Sequence, residues 1–189
     1  TEEEIIKGMY LSQPGSGPAG QSGAPRVQLL GSGTIQRESV AAQELLLKEW
    51  GVVADVWSCP SFNELAREGQ DCERWNLLHP TETARVPFVA QQLAGHAGPV
   101  VASTDYMKSF AEQIRPFMPK DDKGTARAYT VLGTDGFGRS DFRRKLRAHF
   151  EVDRHYIVVA ALRALAQEGK MPASRAQEAI QQYGIAADK

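Results

Sequence analysis

Four short runs dense in aliphatic residues set the limits on what this chain can fold into. Residues 27–33, 52–58, 98–103 and 129–132 are largely apolar, and the stretches between them carry apolar residues every three to four positions. A strand that is apolar on both faces has to be covered on both faces. Alternation of such strands with amphipathic helices therefore predicts an α/β sheet with helices packed over it. Residues 5–11 read as a further, entering strand, for about five strands in all.

Local signals place the helices. Ala42, Leu45, Leu46 and Trp50 recur at helical spacing and Gly51 follows as a stop. Ser61 and Glu64 have the spacing of a capping box, in which hydroxyl and carboxylate satisfy each other's backbone amides, so a helix starts at Ser61. Asp105 is placed to cap a helix that turns Met107, Phe110, Ala111, Ile114 and Phe117 to one side and ends at Pro119. Asp153 caps another. Residues 156–165 are apolar enough for a strand, but Ala160, Ala161, Ala164 and Ala166, with a stop at Gly169, favour a buried helix. A last helix spans about 172–183.

With 189 residues and 42% hydrophobic content, the chain fits one domain with a substantial core. Lys and Arg number 22 against 23 Asp and Glu, so no net field draws the molecule to nucleic acid or an anionic membrane. No apolar run approaches the ~20 residues of a membrane helix, and Thr1-Glu2-Glu3-Glu4 is the opposite of a basic leader. A soluble, cytoplasmic protein is expected, and the missing initiator methionine reads as a cut from a longer polypeptide. Residues 14–25 are rich in Gly, Pro and Ser and read as a flexible insert. The division expected is an entering strand and arm over 1–26 and a folded domain over 27–189. Cys59 and Cys72 form no CxxC pair and read as reduced thiols. His79, His96, His149 and His155 are too scattered for a metal cluster.

Chemistry is sparse. The run Leu132-Gly133-Thr134-Asp135-Gly136-Phe137-Gly138-Arg139-Ser140-Asp141 reads as strand, tight turn and helix start, with Ser140 and Asp141 available to the helix's first amides. Its glycines would suit a phosphate cradle over residues 133–138, the site of a doubly wound small-molecule enzyme, but the order is neither GxGxxG nor a Walker loop. Gly31-Ser32-Gly33 lacks the spacing of a nucleophile elbow. Asp55, Glu64, Glu68, Asp71 and Glu73 read as solvated charge rather than an acid/base pair. Beyond the glycines, Phe142, Leu146 and Phe150 form one stripe of a helix and leave Arg143, Arg144, Lys145 and Arg147 on its wet side, where they would meet water or an acidic partner.

Several of these words together carry a resemblance. Residues 132–141, their continuation through Phe142-Arg143-Arg144-Lys145 to Asp153, the segment from Ser61-Phe62-Asn63-Glu64 to Trp75-Asn76, and Val100-Val101-Ala102-Ser103-Thr104-Asp105 through Lys108 stand in one order. In that order they resemble the C-terminal region of the bacterial homodimeric pyruvate dehydrogenase family, from about Val27 to the end. Two departures, the 14–25 insert and extra residues at 123–128, fall where loops would lie.

The resemblance implies a three-layer α/β/α sandwich like the transketolase C-terminal domain, with a mostly parallel sheet. It also implies a parent enzyme that uses thiamine diphosphate and Mg to decarboxylate pyruvate and acetylate lipoyl groups. The cofactor signature of that family begins Gly-Asp-Gly and ends in Asn; this chain has no Gly-Asp-Gly, and Thr134-Asp135-Gly136 is its nearest approach. The implication is a segment with no catalytic, cofactor or metal residues, inactive alone, that supports a homodimer and the other domains of its polypeptide. It would also dock the peripheral-subunit-binding domain of the dihydrolipoyl acetyltransferase, a basic module. Asp135, Phe137, Arg139 and Asp141 are the residues expected to meet it; capping and packing at the strand-to-helix junction is their other reading.

Overall fold

The computed structural model describes residues 1–17, 23–120 and 124–188. Five strands form one sheet: β1 (Tyr10–Gln13), β2 (Arg26–Gly31), β3 (Val53–Ser58), β4 (Val100–Ser103) and β5 (Tyr129–Leu132), in the order β1-β3-β2-β4-β5. Four are parallel and β1 alone runs antiparallel, on β3, with an irregular register between Leu11 and Gln13. Alternate side chains feed two separate cores, as the strand repeat requires. Leu30, Trp57, Val100 and Ala102 face one; Val27, Leu29, Val56 and Val101 face the other.

The first core is covered by α3 (Phe62–Leu78), α4 (Phe88–Ala94) and α5 (Lys108–Glu112), the second by α2 (Gln36–Trp50), α7 (Arg154–Gln167) and α8 (Ser174–Gln182). This is the three-layer α/β/α arrangement expected. Helix α7 is buried through Ile157, Val158, Ala161, Leu162 and Leu165, and Asp153 caps it by accepting from the His155 and Tyr156 amides at 2.9 and 3.1 Å. At the free side of the sheet, Ala128 turns its carbonyl to the Val100 amide, so Tyr129 turns its own outward, where Arg115 Nη1 donates to it at 2.8 Å.

Other elements depart from expectation for local reasons. Residues 5–11 are not a strand throughout. A short helix, α1 (Glu2–Ile6), comes first, because Thr1 accepts the Glu4 amide and three acidic residues occupy its first turn. Only Tyr10 onward joins the sheet. Ser61 does cap α3, accepting from the Glu64 amide at 3.1 Å, but the Glu64 carboxylate turns to Arg67 rather than back to Ser61. Helix α4 has no counterpart among the expected elements. The insert at 14–25 and the extra residues at 123–128 fall partly on residues outside those described. The described start of the insert is tied down: the Gly15 amide donates to Asp55 Oδ1 at 2.7 Å.

Gly98 turns the chain into β4 at φ +97°, and a Cβ there would lie 1.8 Å from the Arg26 carbonyl oxygen. Only glycine fits that approach.

Candidate functional site

The segment 133–142 is neither a tight turn nor a helix start. It is a ten-residue loop, and α6 (Arg143–His149) begins only after Phe142, with no side chain capping it. Asp141 accepts from the amide of its neighbour Phe142 at 2.8 Å instead. What fixes the loop is the segment after β4. The Thr134 amide and hydroxyl donate to the carbonyls of Tyr106 and Asp105 at 2.9 and 2.8 Å. A Cβ on Gly133 would sit 2.8 Å from the Tyr106 oxygen, so this glycine serves a close backbone approach.

The loop also supplies the cap that Asp105 was expected to give. Asp135 Oδ1 accepts from the Lys108 amide at 3.0 Å, at the first residue of α5. Asp105 turns the other way and takes the Thr34 amide and hydroxyl at 3.4 and 2.9 Å. In sequence Asp105 is the near neighbour of α5; in space the carboxylate that reaches it comes from 27 residues downstream.

Of the four residues expected at a partner surface, Asp135 accepts the Lys108 amide while its side chain stays 53% exposed, and Phe137, Arg139 and Asp141 are exposed as well. Phe137 is 97% exposed and Phe142 79% exposed, so Phe142 does not join Leu146 and Phe150 in an apolar stripe. Tyr106 and Met107 are exposed too. Of the basic cluster, Arg143, Arg144 and Lys145 are on the wet side as expected, but Arg147 is not. It turns inward and donates to Glu38 Oε1 at 2.6 Å. Glu38 is buried and also accepts from the Arg154 amide and side chain at 3.1 and 2.9 Å, joining α2, α6 and the start of α7. Burial pushes its carboxyl up, and the hydrogen bonds and charges of Arg154 and Arg147 outweigh that and hold it below the usual range.

Asp55 overturns the reading of solvated charge. It lies inside β3 with its side chain 2% exposed. It accepts from Gly15, Arg26 Nη2, Gln28 Nε2 and His96 Nδ1 at 2.7, 3.0, 3.0 and 3.0 Å. Gln28 in turn accepts from Trp57 Nε1 at 2.8 Å. Burial again raises the carboxyl, and these four donors more than reverse it. The carboxylate thus ties the interior strand β3 to β2, to Gly15 after β1 and to His96 ahead of β4. Glu68 is half-buried and accepts the Phe88 amide at 2.8 Å, while Asp71 and Glu73 are exposed as expected.

A cleft of about 310 Å³ opens at the carboxyl ends of β2, β4 and β5, bordered by Thr34, Asp105, Thr134, Gly136, Arg139 and Arg143, over Ile35, Leu146, Phe150 and Val152. The glycine run 133–138, read from sequence as a possible phosphate cradle, forms one wall of it; the walls from Thr34, Asp105 and Val152 sequence reasoning missed. The signal lay in pieces 100 residues apart, and only the sheet order brings the end of β2 beside the ends of β4 and β5. The one aspartate near the cofactor signature, Asp135, accepts the Lys108 amide on Oδ1 at 3.0 Å and lies 3.9 Å from the Lys108 ammonium through Oδ2. Among the described residues no three His, Cys, Asp or Glu side chains stand together as metal ligands.

A family model described as the transketolase-like TK C-terminal domain matches residues 8–153. The chain is 58% identical over 188 residues to a pyruvate dehydrogenase E1 component from Cupriavidus necator, covering 100% of this chain and 20% of that protein. Proteins of the same name from Escherichia coli strain K12 and Pseudomonas aeruginosa are 54% identical with the same coverage. The chain thus spans about one fifth of the length of these curated relatives. A solved structure described as a split-gene transketolase, an inactive beta4 tetramer, superposes with a TM-score of 0.52 at 14% identity, over 85% of this chain and 43% of that one; at this identity the likeness is one of fold. By the family match and the sandwich that accompanies it, the chain belongs to the transketolase-like C-terminal domains.

Proposed function

We propose that this chain is the non-catalytic support of a thiamine-diphosphate-dependent pyruvate dehydrogenase, holding the homodimer and docking the acetyltransferase core. The observation that carries the reading is identity of 54–58% along the whole chain with proteins named pyruvate dehydrogenase E1 component. The parent enzyme would decarboxylate pyruvate and reductively acetylate a lipoyl group, with thiamine diphosphate held by parts of the polypeptide outside this chain.

The surface supports an adhesive role. Tyr106 and Met107, on the segment after β4, and Phe137 and Phe142, on the loop that the Thr134 amide ties to it, are four large apolar groups left exposed. The rest of the polypeptide and its second copy are the occupants proposed for that patch. Of the four residues expected to meet the basic peripheral-subunit-binding domain, Asp135, Phe137 and Asp141 suit it in charge and exposure, whereas Arg139 carries the partner's own sign. Calorimetric titration of the full polypeptide with that binding domain tests the docking. Heat and co-elution, both lost in Phe137→Ser, are expected; no heat and no co-elution at high protein concentration would remove it.

A further inference from the structure

The sheet order β1-β3-β2-β4-β5 means that the chain leaves β2 toward β3 on one side and later continues through β4 and β5 on the other. Open parallel sheets bind ligands at the carboxyl ends of the strands where such a reversal occurs, because the loops diverge there and leave a crevice. Here the crevice exists: it is the cleft of about 310 Å³ between the segments following β2, β4 and β5. Its volume falls at the small end of the range for small-molecule sites.

The walls divide by chemistry. Buried Ile35 and Val152 with half-buried Leu146 and Phe150 make an apolar floor. At the mouth stand Arg139 and Arg143, which also border a wider basic groove of about 1010 Å³ that runs on past Arg144 and Lys145. Two charges nearby are already engaged: Arg147 by Glu38, and Asp105 by the amide and hydroxyl of Thr34. Arg139 and Arg143 have no ion-pair partner among the described residues. Nothing lies within 4 Å of where a Cβ would stand on Gly136 or Gly138, so the backbone along this wall is open to a ligand.

We propose that the cleft binds a small organic anion, with a phosphate or carboxylate head between Arg139 and Arg143 and a compact apolar or ring body on Ile35, Leu146 and Phe150. Guanidinium groups at the mouth supply planar donors that suit either head group. The floor selects for a body that inorganic anions lack. This site does not depend on the support role proposed above, since it uses the cleft rather than the exposed aromatic patch.

The test is titration of the full polypeptide carrying this chain with phenyl phosphate, benzoate, inorganic phosphate and benzyl alcohol, followed by calorimetry and ligand-observed saturation-transfer NMR. Phenyl phosphate or benzoate should bind at least about tenfold more tightly than either inorganic phosphate or benzyl alcohol, because each of the latter keeps only one half of the recognition. Whichever of the two binds more tightly names the head group. Arg139→Ala combined with Arg143→Ala should weaken that binding about tenfold or more, whereas Arg144→Ala, which removes the same kind of charge from the outer groove, should change it less than about twofold. All three arginines are exposed, so thermal melts of the variants should match the unsubstituted protein. The proposal is overturned by failure of both aryl anions to saturate, by equal affinity for phenyl phosphate and inorganic phosphate, or by equal weakening from all the arginine substitutions.

Discussion

Replacing Asp55 with asparagine should cost this fold more than any other isosteric change of one side chain. The carboxylate is 2% exposed and serves two donors on each oxygen, Gly15 and Arg26 on Oδ1, Gln28 and His96 on Oδ2. Asparagine keeps the shape, so no cavity opens, but one oxygen becomes an NH₂ group that faces two donors. Facing Gly15 and Arg26 the NH₂ loses both hydrogen bonds; facing Gln28 and His96 it loses that of Gln28, since the imidazole can change tautomer and accept, and in either case Arg26 loses its counter-charge. Unsatisfied buried donors and a broken buried ion pair together are worth about 3–5 kcal/mol. For a chain of this size that lowers the melting temperature by about 10 °C.

The same carboxylate predicts a pH dependence whose sign follows from its shift. Its folded pKa lies below the unfolded one, so its contribution is complete above the ordinary aspartate range and drains away as pH falls through the folded value. Urea unfolding of Asp55→Asn and the unsubstituted protein at pH 7, then across an acid series, measures both effects. The two stabilities should converge toward low pH. A difference under about 1 kcal/mol at pH 7, or one that persists unchanged into acid, would refute the bracing role.

Other consequences are as specific. Glu38→Gln should lose about 2–4 kcal/mol at neutral pH and loosen α6, seen as faster amide exchange over residues 143–149, because Glu38 anchors Arg147 and Arg154. Unchanged exchange there would show that α6 is held by other means. Gly98→Ala should prevent stable folding, as its Cβ meets the Arg26 carbonyl, whereas Gly136→Ala, at φ +93° in open space, should cost only about 1 kcal/mol in a chemical melt. Comparable losses in the two would contradict the close approach at Gly98. Burial pushes the Cys59 thiol up, and burial with the Glu68 carboxylate pushes Cys72 up to about 11. Neither should react with a disulfide reagent at pH 8 until the protein unfolds; prompt labelling of the native state would argue otherwise.

The layers, the four core strands and the long helices were legible because each depends on residues close in sequence. Gly51 ends α2 in the left-handed conformation and Asp153 caps α7 from the positions that short-range rules assign. Errors arose where a polar group chose a distant partner over a near one. Asp105 was assigned to α5 by proximity, yet Asp135 takes that amide; Arg147 was assigned to water by its helix face, yet it finds Glu38 across 109 residues. Asp55 carries no local mark of burial beyond its place in an apolar run, and its four donors come from three separate segments, with Arg26 and Gln28 both in β2. The other walls of the cleft are hidden for the same reason, being brought together by strand order.

The guanidinium that Arg115 lays on the outward carbonyl of Tyr129 has a consequence for assembly. It occupies an acceptor that a visiting strand would need, and at the opposite border the short β1 departs from regular register between Leu11 and Gln13. Both margins of the sheet are thereby blunted as templates for backbone pairing. A companion that meets this fold on its faces and loops instead reads side chains, so that recognition is written in residue identity rather than in the common grammar of the main chain.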